Sequence, residues 1–190
     1  MSVKKQIFKT IGDHLMDKLK NLPDGLPDLK WFDKQMGQFD AEDASSAIPL
    51  PAVLMEYGPI VWQTTASNNQ KGSGNLKFSI YYENYANSFT GSSDQDMAFQ
   101  YLEFTEALHV ALQGLGINSI MSALTRVGHV EDIEQDVIVA TSVQYSITIF
   151  DNSTDFKKNY IDVADPALVI THKDESSRPS PENGLPAFLT

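Results

Sequence analysis

No cysteine occurs in the 190 residues, so disulfides, thiolate metal sites and cysteine nucleophiles are excluded at once. No apolar run approaches the eighteen or so residues of a membrane helix. The N-terminal MSVKKQIFKTIGDHL also lacks the continuous apolar core of a signal peptide. A protein made and kept in a cytoplasm is expected, with no membrane partner. Cations are scarce where they would matter most. Residues 1 to 30 hold six Lys and four Asp, residues 31 to 156 four basic and sixteen acidic side chains, and residues 157 to 190 four basic and five acidic, which sums to the net charge of -11. Tight binding to nucleic acid depends on cations that displace counterions from phosphates, so this acidic centre is not expected to grip DNA or RNA. Solubility is the plain reading of the charge, and repulsion of a polyanion the sharper one.

The groups that usually announce chemistry are missing as well. Of the four histidines, His14, His109, His129 and His172, the first two sit in predicted helices far apart in sequence, and neither has a second His at ligand spacing. The acidic run Glu131, Asp132, Glu134, Asp136 lacks the D-x-D-x-D-G spacing that bends oxygens around calcium. Gly72 with Gly74, and Gly114 with Gly116, give G-x-G without the third glycine of a phosphate cradle, and KGSGN reads more simply as a hairpin turn. There is no G-x-S-x-G elbow. No catalytic, cofactor-binding or metal-ligating residue is therefore assigned, and no cofactor is expected. Arg126 stands alone in the acidic centre, where a salt bridge to Glu or Asp is the ordinary role.

What is present is a long alternation. From Val137 to Phe150, fourteen residues run without Gly, Pro or charge. Val139, Val143, Tyr145, Ile147 and Ile149 fall on one face, and Ser142, Gln144, Ser146 and Thr148 on the other. Strands usually run five or six residues, so this one is expected to form the spine of a sheet and to project past its neighbours at one end. Its oily face should receive helices. Its hydroxyl-rich face, Ser142, Gln144, Ser146 and Thr148, is the expected subunit interface.

The remaining elements surround that strand. Val3, Ile7, Phe8, Ile11, Leu15 and Leu19 recur at helical spacing, and LPDGLPD then stops the helix. Short strands are predicted at Leu29–Phe32, Pro51–Tyr57 and Leu76–Glu83, with Asp33–Ile48 an acidic loop and TTASNNQKGSGN a mobile tip. Ser93-x-x-Asp96 opens a helix to Gln113, its stripe formed by Met97, Tyr101, Phe104, Leu108 and Leu112 and broadened by Phe99, Leu102 and Val110. Leu124–Val130 pairs with the long strand across the turn EDIEQD. The order predicts an α+β domain over residues 1–156, mostly antiparallel with two main helices on one face. Residues 157–190 read as an extended C-terminal arm, ordered only by a partner.

These elements resemble the tail terminator (tail completion) proteins of long-tailed bacteriophages and prophages. The resemblance is carried by VKKQIFKTIGDHLMDKL, LKWFD, PAVLMEY, LKFSIYYE, ALHVALQGL and LTRVGHVEDIEQDVIVATSVQYSITIFD, and covers about residues 1 to 151. It implies a ring, typically a hexamer, that caps the finished tail tube, ends its polymerisation and joins the tail to a head or neck connector. The implied place is the virion, assembled in the host cytoplasm. Genome DNA would pass through without tight binding, and Glu131, Asp132, Glu134 and Asp136 would belong to an acidic surface or lumen. The polar face or the edge of the long strand would supply the subunit contact. Two other readings stand beside it: another neck or baseplate component of the same small fold, or a soluble enzyme with a cryptic acidic site using Glu103, Glu106 or His109.

Overall fold

A computed structural model describes residues 2–23, 25–39, 48–65, 69–132 and 138–152, with Asp132 described in its backbone only. The expected arm, most of the acidic turn and part of the Asp33–Ile48 loop lie outside the described residues. The order is α1 (Val3–Lys18), β1 (Trp31–Lys34), β2 (Ala52–Thr64), β3 (Gln70–Glu83), α2 (Gln95–Ala98), α3 (Gln100–Leu112), β4 (Thr125–Asp132) and β5 (Ile138–Asp151). Among the described residues the strands form one sheet in the order β1-β2-β3-β5-β4. Only β1 with β2 is parallel; the other pairs are antiparallel. This is the α+β architecture expected, with α1 and α3 over one face.

Helix α1 buries Ile7, Ile11, Leu15 and then Leu19, one row at intervals of four. Gly12 lies beside that row because Phe32 occupies the space: a Cβ there would stand 2.7 Å from the Phe32 ring. Phe8 closes on the same ring, with centroids 5.1 Å apart. Toward its end α1 touches α3, where the ring Nε2 of His14 and the carbonyl of Ala111 are 2.9 Å apart. Under the helices the sheet contributes Val53, Met55, Leu76, Phe78, Ile80, Val143, Tyr145, Ile147 and Ile149 to a single buried cluster. A smaller cluster on the opposite face consists of Phe39, Ala52 and Leu54 with Ile48, Leu50 and Tyr81 packed against it. Phe39 stacks flat on Tyr81 at 3.8 Å.

The long strand is as expected in its alternation and different in its surroundings. Thr141, Val143, Tyr145, Ile147 and Ile149 are buried, and the residues between them are not. It does not project past β3, which matches it residue for residue from Gln70↔Asp151 to Glu83↔Ile138. Its other edge is closed too. Strand β4 covers Ala140 to Ser146, and the turn at Ile120–Ser122 takes over, with Ser122 N donating to Thr148 O at 2.8 Å and Phe150 N to Ile120 O at 2.8 Å. From Ala140 to Phe150 the edge of β5 is thereby occupied within the chain and is not open to pairing with a neighbouring subunit.

Two further expectations change. Gln70–Asn75, read as loop, is the first half of β3. Its glycines serve close packing: at Gly72 a Cβ would meet Ile60 and Trp62, and at Gly74 the carbonyl oxygen of Pro59 at 2.5 Å. Pro59 itself is accommodated by a register shift between Tyr57 and Ile60, where a missing amide donor does least harm. The second predicted helix is broken at Phe99 into α2 and α3. Met97 therefore leaves the stripe counted from α3, and Phe99, Leu102 and Val110 stay exposed as well, because α3 meets the sheet on one narrow side: Phe104, Thr105, Leu108 and Leu112.

Candidate interaction surfaces

Three surfaces emerge from this frame. The first is the open part of the sheet face opposite the helices. Register places Ser142 beside Ser79, Gln144 beside Lys77, Ser146 beside Asn75 and Thr148 beside Ser73. The structure thus gathers the four expected interface residues on one half-exposed ladder of hydroxyls and amides. Ser79 and Ser142 bring their hydroxyls to 3.5 Å, and Ser146 Oγ donates to Thr125 O at 3.4 Å. Such a face can stay solvated without cost, as antiparallel sheets often are on one side.

The second surface lies on the helical side and is acidic. Glu103 and Glu106 are exposed on α3, and Glu131 is exposed on β4, which it extends together with Asp132 rather than sitting in the turn. Glu134 and Asp136 lie outside the described residues. Arg126 Nη1 approaches Glu106 Oε2 at 3.6 Å across solvent, the salt-bridge role expected, worth little in stability. Beneath it, His109 Nδ1 meets the hydroxyl of the buried Tyr145 at 3.0 Å. Burial pushes that phenol up to about 12, with Arg126 pulling down and Glu106 adding to the rise. Burial raises the Tyr101 phenol also, helped by Glu131, and the Tyr82 phenol, helped by Glu103. Sequence reasoning did not foresee the Tyr145–His109 pair, because 36 residues separate its members.

Further along the same side, the 84–100 segment exposes Tyr85, Phe89 and Met97 at 73%, 64% and 56%. A cleft of about 250 Å³ brings Tyr85, Met97, Glu83 and Asp94 together. Asp94 sits below the usual carboxylate range because the Ser92 hydroxyl and then the Asn87 amide donate to it. The bond from Ser92 Oγ to Asp94 takes the place of the expected Ser93–Asp96 cap.

The third surface is a groove of about 600 Å³ between the start of α1 and the end of β1. Lys4, Lys5, Lys34, Phe8, Tyr57 and Gln35 line it together with Asp33 and Glu56, three cations against two carboxylates. Tyr57 donates its hydroxyl to Lys4 O at 2.8 Å, and burial raises its pKa far above the ordinary phenol value. The Lys4 ammonium stands 5.3 Å from the centre of the same ring. Gln35 Oε1 is buried there without a donor.

No group of three or more His, Asp or Glu side chains placed to hold a metal occurs among the described residues. Neither the cleft nor the groove includes Glu103, Glu106 or His109. Among the described residues no helix is long and apolar enough to cross a membrane. No family model matches the chain, and no curated protein does. Among solved structures, a chain from the "Virion of native gene transfer agent (GTA) particle" is similar at 11% identity and a TM-score of 0.48, over 78% of this chain and 98% of that chain.

Proposed function

We propose that the protein is a structural component of a phage-type virion. It forms a ring that caps the tail tube, ends tube polymerisation and joins tail to head or neck. The observation that carries this reading is the open face of β3 and β5. The chain covers one end of that face with Phe39, Leu50 and Tyr81 and leaves the rest, Ser142, Gln144, Ser146 and Thr148 among it, flat and largely uncharged. A polar ladder on β3 and β5, whose backbone groups are paired within the sheet from Ala140 to Phe150, suits contact with another protein through side chains. The enzyme reading is less well supported, since Glu106 is paired with Arg126 and His109 with Tyr145.

In the ring reading each subunit turns the open sheet face to another protein of the assembly, the tail tube or the neck, and DNA passes an acidic wall without being held. Mass measured by light scattering at rising concentration, with and without tail tube protein, tests the reading. A mass of several copies is expected in at least one condition, and a strict monomer in both overturns it. The protein should also leave duplex DNA unshifted in a gel at low salt. A salt-sensitive shift would remove the acidic-wall argument.

A further inference from the structure

We infer that adjacent copies are linked head to tail, the aromatic and acidic shelf of residues 83–103 on one copy seating in the lysine-lined groove between α1 and β1 of the next. The inference rests on the ring reading and adds to it the two patches that meet.

The shelf has the marks of a covered surface. Tyr85, Phe89 and Met97 are large side chains left more than half exposed, with Phe99 and Leu102 beside them in sequence at 37% each. Exposed apolar clusters with a polar rim mark contact sites in soluble proteins. The shelf is also held in shape: Asn84 Nδ2 donates to Ala98 O at 3.0 Å, Gln95 Nε2 to Ser88 O at 3.1 Å, and Asn87 N to Asp94 Oδ2 at 3.3 Å. A surface fixed before contact loses little freedom on contact. Its charge has one sign. Between Lys77 and Arg126 the sequence has no Lys or Arg, but it has Glu83, Asp94, Asp96, Glu103 and Glu106. The occupant must therefore bring cations.

The groove supplies them, and it belongs to this same chain. Of the basic side chains in residues 1–156, all but Lys71, Lys77 and Arg126 fall between Lys4 and Lys34. Three of those lysines line the groove, and Phe8 and Tyr57 give it an aromatic wall. An incoming ring would lie against that wall with Lys4 and Lys5 over the neighbour's carboxylates. The two patches sit on different elements and differ in kind, so a contact between them is heterologous. Such contacts build closed rings when their rotation closes.

Two copies, each blocked at one patch, test the inference. Lys4→Glu with Lys5→Glu blocks the groove; Phe89→Ser with Met97→Ser blocks the shelf, and Asp96→Lys with Glu103→Lys blocks it by charge alone. All these side chains but Phe89 and Met97 are charged, and all are exposed, so circular dichroism and melting should match the parent. Each blocked copy alone should need at least about tenfold more protein to associate, the scale of a lost anchor or charge pair. A one-to-one mixture should give a heterodimer that grows no further, since one shelf and one groove remain intact. Raising salt should weaken the parent's assembly. If the parent forms rings and both blocked copies form them equally well, the inference fails while the ring reading stands. If a groove-blocked copy dimerises alone, the contact is shelf to shelf and the inference fails. If the parent is a monomer with and without tube protein, the ring reading itself fails.

Discussion

The two faces of the sheet are made from the same strands and obey different rules. Under the helices, Phe78, Tyr145 and Ile149 are wholly buried, with Met55 and Val143 beside Phe78 on the ladder and Leu76 beside Tyr145. One residue along each strand, Ser79, Ser142 and Thr148 look the other way into a half-open surface. A slip of one register position would exchange the two sets, so burial of the helical face pins the polar face in place. Stability thus falls to one set of alternate residues and, in the proposed assembly, contact to the other, and changes on either face should show different symptoms.

The largest contrast is expected at the centre of the buried face. Phe78→Ala, which removes a ring set edge-on to Tyr145 with centroids 5.7 Å apart, should cost about 3–5 kcal/mol in urea unfolding. A loss below about 1 kcal/mol would mean that the helices do not depend on this face. Gly12→Ala comes next. On an open helix surface the exchange would stabilise by about 1 kcal/mol, but here the methyl meets the Phe32 ring, and a net loss of about 1–2 kcal/mol is expected. A more stable variant would show that α1 is free to shift over β1.

Tyr145→Phe should cost about 1 kcal/mol near neutral pH through the lost bond to His109. Its pH dependence carries a sign. The folded phenol is pushed up from 10.0 to about 12, so the stability it contributes is full below the unfolded value and is lost as pH rises through that window. The gap between parent and variant should narrow between pH 10 and 12 in thermal melts, and a widening gap would contradict the burial. The smallest effect on folding belongs to the open face: Ser142→Ala with Gln144→Ala should change stability by less than about 0.5 kcal/mol. The same pair should alter assembly mass. Equal effects on folding and assembly would erase the distinction between the faces.

The local part of this design is legible in the chain, and the non-local part is not. The period of two in VIVATSVQYSITIF and the period of four in α1 report their buried faces directly, because each follows from backbone geometry alone. The polar face of Ser142, Gln144, Ser146 and Thr148 follows from the same count. Gly72 and Gly74 look like turn residues, and only their partners Trp62 and Ile60 on β2 reveal them as strand. Met97 matched the helical stripe until the break at Phe99 reset the phase. The groove could not be foreseen, since it exists only because β1 pairs in parallel with β2 and brings Lys34 toward Lys4 and Tyr57. The shelf left one trace in the sequence, the absence of any cation from Lys77 to Arg126.

A fourteen-residue strand with no charge between Ile138 and Phe150 is the kind of segment that, with a bare edge, templates fibres. The turn at Ile120–Ser122 removes that hazard by occupying the last amides and carbonyls of β5. Among the described residues the sheet ends instead in β1, only four residues long, and in β4, interrupted by a register shift between Arg126 and Gly128. Beyond β1, β2 runs on as the edge, its residues from Glu56 to Thr64 paired on one side only, with β3. Along β5 from Ala140 to Phe150, growth by backbone zipping, which is hard to reverse, is closed off, and association there is left to side chains, whose contacts can be broken and remade until a copy is correctly placed.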